Sequence, residues 1–136
     1  METEFTRGSS SYTRIEIHVS YKVKYCHKIF DFIEVRQRCQ EIFYEVAAQE
    51  QIVITEIGFD GDHVHMDIVI RNTHRLCDID KKFKGTLAKK ILREFPALKR
   101  RYFWGSGLWG SQSFGDSVGR DPTVIRNYVK NQGKDR

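Results

Sequence analysis

Between residues 15 and 25 the apolar side chains fall on odd positions, Ile15, Ile17, Val19, Tyr21, Val23 and Tyr25, and the polar ones on even positions, Glu16, His18, Ser20, Lys22 and Lys24. A period of two predicts a strand with one buried face. Asp31 followed three residues later by Glu34 makes a variant of the capping box, with Asp as N-cap. Phe32, Val35, Cys39, Ile42, Phe43 and Val46 then recur at helical spacing, which predicts a helix near 32–50. Two more strand-like runs, 52–59 and 63–70, flank Asp60-Gly61, a dipeptide suited to the positive φ angles of a tight hairpin turn.

Farther along, Asp78 is placed to cap a second helix whose apolar stripe is Ile79, Phe83, Leu87, Ile91 and Phe95, ended by Pro96. The opposite side of that helix carries Lys81, Lys82, Lys84, Lys89, Lys90 and Arg93. Residues 99–104, basic and aromatic, read as a strand, and 108–114 as another after the Gly105-Ser106-Gly107 turn. Asp121-Pro122 opens a short terminal helix that runs to about Gln132, with Gly133 as its stop. The order is β-α-β-β-α-β with an added strand and a terminal helix. It predicts an α+β fold with a ferredoxin-like (RRM-like) antiparallel sheet and helices on one face.

A length of 136 residues suits one domain and leaves no room for two separate catalytic domains. With 40% apolar and 30% charged residues and only 2 prolines, a real core is expected rather than a disordered chain. The polar run 1–11 reads as a flexible leader, which leaves 12–136 as a single domain. No window approaches a membrane span and no secretory signal precedes the first strand, so a cytoplasmic protein without a membrane partner is expected. Cys26, Cys39 and Cys77 are odd in number and widely spaced, the pattern of reduced thiols rather than of a zinc site.

The net charge of +5 conceals an asymmetry. Residues 1–70 hold 7 basic and 12 acidic side chains, whereas 71–136 hold 16 basic and 6 acidic ones. The second half favours an anionic partner. The cationic side of the second helix, together with Arg100 and Arg101, suits phosphate binding and equally a solvated helix face; its scarcity of acidic residues tilts the choice towards phosphate. Tyr102, Phe103, Trp104, Trp109 and Phe114 are candidates for stacking on unpaired bases, although aromatic residues in an alternating sheet more often form core.

His63-Val64-His65 lies at the start of the second hairpin strand. Alternation projects both imidazoles from one face, roughly 6 to 7 Å apart at Cα, while Val64 points the other way with Met66, Ile68 and Ile70. That separation suits two ligands of one metal ion, yet such a pair is more often a surface or satisfied core feature. Tyr128 and Gln132 sit one turn apart on the terminal helix. The phenol is a candidate nucleophile and the carboxamide a third ligand; the bland alternatives are a tyrosine packed at a helix edge and a solvated glutamine. Two imidazoles and an amide would leave the charge of a divalent ion uncancelled, which suits Mg2+ or Mn2+ acting on a phosphodiester. Asp67 shares the face of the histidines and is a hydrogen-bonding partner behind the ligands, an occasional ligand or an exposed acid, with the first and last favoured. His18, His27 and His74 are expected at the surface.

Taken together, Gly61-Asp62-His63-Val64-His65, the Leu108-Trp109 and Ser117-Val118-Gly119 segments and the closing Tyr128-Val129-Lys130-Asn131-Gln132 resemble the small single-tyrosine HUH transposases of the insertion-sequence two-hundred/six-hundred-and-five group. The resemblance spans roughly residues 13–132. It implies a metal-dependent enzyme, found in the cytoplasm and nucleoid of a prokaryotic cell, that cleaves and rejoins single-stranded DNA at element ends bearing hairpins. In such an enzyme Tyr128 attacks and stays joined to the 5′ phosphate, and His63, His65 and Gln132 hold the metal. It also implies a homodimer in which the terminal helix of one protomer can complete the partner's site, with assembly within one protomer left open; the glycine-flanked segment 115–119 would be compatible with such an exchange. Asp67 departs from the family pattern, where an apolar residue is expected. Two rivals keep parts of this picture: a replication-type or palindrome-associated nickase of the same superfamily, and a non-catalytic nucleic-acid-binding module on the same sheet. The second lacks the aromatic signature of RNA-recognition domains.

Overall fold

The computed structural model describes residues 14–103, 105 and 107–117, the last seven as backbone. Along the chain run β1 (Arg14–Val23), α1 (Ile33–Glu50), β2 (Val53–Asp60), β3 (His63–Arg71), α2 (Leu76–Glu94), α3 (Pro96–Tyr102) and β4 (Trp109–Ser117). The strands form one antiparallel sheet in the order β2-β3-β1-β4, the ferredoxin-like arrangement expected from the sequence. Its buried side is what the alternation in β1 and β3 predicts. Ile15, Ile17, Val19, Tyr21 and Val23, with Val64, Met66, Ile68 and Ile70, make one cluster with the apolar stripes of α1 and α2. The helices therefore cover one face, and the even residues of β1 and the odd residues of β3 are left on the other.

One polar contact enters the helix layer. The buried Tyr21 hydroxyl donates to Asp80 Oδ1 on α2 at 2.6 Å, and Lys84 Nζ lies 5.7 Å from the Tyr21 ring centre. Burial is the main force pushing the Tyr21 phenol well above its ordinary pKa, with Asp80 adding to it, and burial also raises the Asp80 carboxyl against the opposing pull of Tyr21 and Lys84. A raised carboxyl favours the protonated form in the folded chain. Its contribution to stability is thus present in full below the unfolded-state pKa and is lost as pH rises through the folded-state value. Tyr21→Phe, which strips the charged acceptor of its donor, is expected to cost about 1 to 3 kcal/mol in urea unfolding at neutral pH. Asp80→Asn keeps an acceptor without the desolvated charge and is expected to cost less, with a flatter dependence on pH. A Tyr21→Phe protein as stable as the parent would show that the bond contributes nothing.

Several local expectations are corrected. The run 99–104 is not a strand: α3 opens with Pro96 at its first turn and closes on Lys99, Arg100 and Arg101, where a fixed proline φ and cations beside the terminal carbonyls both favour helix. Leu98 and Phe103 are buried from this segment. α1 begins at Ile33 with Phe32 at the N-cap and no side-chain capping bond, because Asp31 belongs to a preceding 3-10 turn, Ile29–Asp31. α2 begins at Leu76, which puts Asp78 inside the first turn; there a carboxylate still meets the positive end of the helix. β4 reaches Ser117, so residues 115–117 are paired with β1 rather than forming a free connection.

The hairpin exists, but its turn residues are Gly61 and Asp62, since Asp60 pairs with His63. Gly105 is the glycine with positive φ among the described residues, so Gly61 serves a different need. A Cβ there would lie 3.0 Å from Asp31 Oδ1 and 3.3 Å from Lys28 Cβ, and the Phe30 amide donates to the Gly61 carbonyl at 3.0 Å. The glycine lets the hairpin tip press against the 3-10 turn. The leader 1–11, Trp104, the terminal helix from Asp121, Tyr128, Gln132 and Gly133 lie outside the described residues.

Candidate active site on the open face

β3 carries His63, His65 and Asp67 on the face away from the helices, and register sets their neighbours. Lys22, Ser20 and His18 of β1 stand opposite these three in turn, while Asp60, Gly58 and Glu56 of β2 flank them on the other side. The His63 and His65 ring centres are 6.1 Å apart, tilted by 41°. His63 is held from both sides, with Nε2 at 2.9 Å from Asp60 Oδ2 and Nδ1 at 3.1 Å from Asp62 Oδ1. That bond to His63 is the main reason the Asp62 carboxyl lies below its ordinary range. The His65 ring stacks against His18 at 5.7 Å. His18 Nδ1 in turn meets Asp67 Oδ1 at 2.6 Å, and the Thr55 hydroxyl donates to the Asp67 carbonyl at 3.1 Å.

Gly58 makes room for His65. A Cβ on Gly58 would come within 2.6 Å of His65 Cε1 and 2.9 Å of Nε2, closer than atoms approach without displacement. Gly58 and His65 are cross-strand partners, and on the far side of His65 stands another small residue, Ser20. The register shift between Ile54 and Glu56 of β2 is what brings Gly58 opposite His65; such a bulge re-aims every side chain beyond it.

The structure thus brings His63 and His65 side by side, as alternation requires, and pairs Asp67 with His18 through a hydrogen bond. His18, expected at the surface, does lie on the open face, and there it packs against His65. His74 is also engaged, accepting the Arg71 amide proton at Nδ1 (2.9 Å) and contacting the Glu50 carbonyl through Nε2 (2.9 Å). His27 packs on Tyr102 and Phe103. Two imidazoles side by side would offer one edge of a coordination shell, His63 only after giving up its contact with Asp60 or Asp62. Among the described residues no group of three or more His, Cys, Asp or Glu side chains is arranged to hold a metal ion. Gln132, the expected third ligand, lies outside the described residues.

The basic residues occupy the other layer. On α2, Lys82 pairs with Glu50 at 3.6 Å and Lys90 with Glu45 at 3.3 Å. Lys84 is drawn inwards to the Gly110 carbonyl at 3.4 Å, where burial lowers its pKa against the pull of Asp80. Lys81, Lys89, Arg93, Arg100 and Arg101 are exposed. Of the aromatic candidates, Phe103 is buried core and Trp109 donates its indole N–H to the Lys84 carbonyl at 2.9 Å. The three thiols are unpaired, with Cys39 buried and Cys26 and Cys77 exposed. No described helix is long and apolar enough to cross a membrane.

Known proteins supply the comparison. The family model described as "Transposase IS200 like" matches residues 11–132. The chain is 26% identical over 130 residues to the ISDra2 transposase TnpA of Deinococcus radiodurans, covering 95% of this chain and 91% of that protein. It is 25% identical over 119 residues to the transposase for insertion sequence element IS200 of Salmonella typhimurium, covering 85% and 74% respectively. A crystal structure from Deinococcus radiodurans, assigned as a transposase, superposes with a TM-score of 0.75 at 25% identity over 95% of this chain and 98% of that one. A REP-associated tyrosine transposase bound to a REP hairpin shares the fold, with a TM-score of 0.58 at 7% identity over 94% and 73%.

Proposed function

Because the chain belongs to the family of IS200-like transposases, we propose that it cleaves and rejoins single-stranded DNA at the hairpin-bearing ends of a mobile element through a 5′-phosphotyrosine intermediate. The observation that carries this reading is the His63–His65 pair, side by side on the one sheet face that the helices leave open. A divalent ion, Mg2+ or Mn2+, held by His63, His65 and the Gln132 carboxamide would supply Lewis-acid polarisation of a phosphate oxygen. The Tyr128 phenolic oxygen attacks phosphorus; its bond to phosphorus forms as the bond to the 3′ oxygen breaks, and the proton given up by the phenol to solvent is balanced by the one the 3′ oxygen takes up as it leaves as a hydroxyl. Bond energy is retained in the tyrosine ester for the later joining step. His18, held by its bond to Asp67, stacks on the His65 ring, and one of Asp60 and Asp62 orients His63 while its other ring nitrogen is freed for the ion.

Phosphates are assigned to Lys81, Lys89, Arg93, Arg100 and Arg101, with Lys82, Lys84 and Lys90 contributing less because carboxylates or a carbonyl already engage them. The protein acts as a homodimer, so that a chain of one domain handles two DNA ends. A non-catalytic nucleic-acid-binding module is the reading this replaces.

A single assay separates the two. Labelled single-stranded DNA carrying the element's hairpin end is incubated with protein and Mg2+, then denatured; the expected result is a covalent protein–DNA adduct that Tyr128→Phe eliminates while DNA binding persists. An adduct formed equally well by Tyr128→Phe overturns the choice of nucleophile, and binding with no adduct from the parent protein supports the module.

A further inference from the structure

We propose that Tyr25 is a stacking platform for an unpaired nucleobase of the single-stranded DNA, set at the His63 end of the sheet; this rests on the transposase reading. The alternating pattern of β1 would send Tyr25 into the core. Instead β1 stops at Val23, and Tyr25 adopts φ 60° and ψ 17° and is followed by Cys26 at φ 58°. Two consecutive left-handed residues with a Cβ are sterically disfavoured. They are held by the bonds that end the strand, Val23 N–H to the Asp62 carbonyl and Lys24 N–H to the Leu108 carbonyl, each 2.8 Å. The consequence is a tyrosine 69% exposed, the most exposed large apolar side chain among the described residues.

Its surroundings select the ligand. Lys24 Nζ lies 5.7 Å from the Tyr25 ring centre, and His27 meets the ring edge-on at 5.9 Å. His27 packs against Tyr102 at 4.7 Å, and the Arg101 guanidinium lies 5.5 Å from the Tyr102 ring. Three rings, Tyr25, His27 and Tyr102, are thus linked in a row, with a cation at each end. A flat π face bordered by cations matches a base joined to its phosphates. The row is also in the right place. Lys22 is the cross-strand partner of His63, and the Asp62 carbonyl receives the Val23 amide, so Tyr25 lies just past the strand end nearest the proposed chemistry.

The test uses the full chain without divalent metal and two oligonucleotides: a hairpin with a short unpaired flank containing 2-aminopurine, and the same hairpin trimmed of its flank. Tyr25→Ala is expected to weaken binding of the flanked strand by about 5- to 100-fold, the range of one stacked base. It is expected to leave the trimmed hairpin unaffected and to remove the 2-aminopurine quenching seen with the parent. Tyr25→Phe should bind and quench like the parent, because the ring face and not the hydroxyl makes the contact. Should Tyr25→Ala fold poorly by its melting temperature, Tyr25→Leu, bulky but without a ring, carries the same expectation. Unchanged affinity for the flanked strand, or equal loss for both oligonucleotides in a folded variant, overturns the platform while leaving the transposase reading standing. A parent protein that binds neither oligonucleotide overturns both.

Discussion

Alanine in place of His65 is expected to lower adduct formation by about 10³-fold or more while leaving affinity for the hairpin, and its dependence on salt, close to that of the parent. The size follows from what is lost: Lewis-acid catalysis contributes several kcal/mol to phosphoryl-transfer barriers, and each 1.4 kcal/mol is about tenfold in rate. The sparing of binding follows from placement. His65 lies on the open face, whereas the cations assigned to phosphate lie on α2 and at the end of α3, in the opposite layer. His65→Ala also removes the ring on which His18 stacks, but the bond between His18 and Asp67 remains to hold that pair. His63→Ala should match it in cleavage yet differ in detail, since Asp60 and Asp62 both lose their imidazole partner. Titration with Mn2+, followed by its paramagnetic broadening of histidine resonances, gives a readout independent of turnover: both variants should bind the ion more weakly. Adduct formation by His65→Ala at the parental rate would remove this histidine from the chemistry.

Much of this was legible in the pattern of the chain, and the exceptions have physical causes. β1 and β3 alternate because each buries one face under helices, and α1 and α2 show their stripes for the same reason. Those four elements nearly determine the sheet. Residues 99–102 misled because a short basic and aromatic run has no period of its own; the deciding signal was Pro96, which sits where a helix tolerates it. Tyr25 kept the strand's period but not its path, since the Val23 and Lys24 amides donate to the carbonyls of Asp62 and Leu108, remote in sequence, and β1 ends there.

The site divides in the same way. That His63 and His65 share a face follows from spacing of two alone. That His18 meets Asp67, or that Gly58 lies under His65, depends on the register between strands, and no single strand encodes its register with a neighbour. One signal was available: His18 sits on the polar parity of β1, the same open face as the histidine pair. Pairing a polar-face histidine with polar-face histidines of an adjacent strand is a hypothesis that sequence alone can raise and only topology can decide.

Gly58→Ala makes that dependence measurable, because the three atoms nearest the added methyl group all belong to the His65 imidazole. With an ideal Cβ 2.6 Å from His65 Cε1, the ring must shift. His65 is half-buried at the open face, so it can swing outwards, and the cost in stability is expected to be modest, about 1 kcal/mol as for mild overpacking. The cost in catalysis is expected to be larger. Displacing a positioned group by about 1 Å can lower a rate by about 10²-fold, so cleavage should fall by that order while unfolding shifts little. Gly85 provides the control: it lies within α2, exposed, with no atom within 4 Å of where its Cβ would stand. Gly85→Ala should therefore stabilise the fold by about 0.5 to 1 kcal/mol and leave cleavage unchanged. The His65 ring resonances should move in Gly58→Ala and stay in place in Gly85→Ala. Full cleavage by Gly58→Ala, with those resonances unmoved, would mean that the imidazole position at Gly58 is not the one the reaction uses.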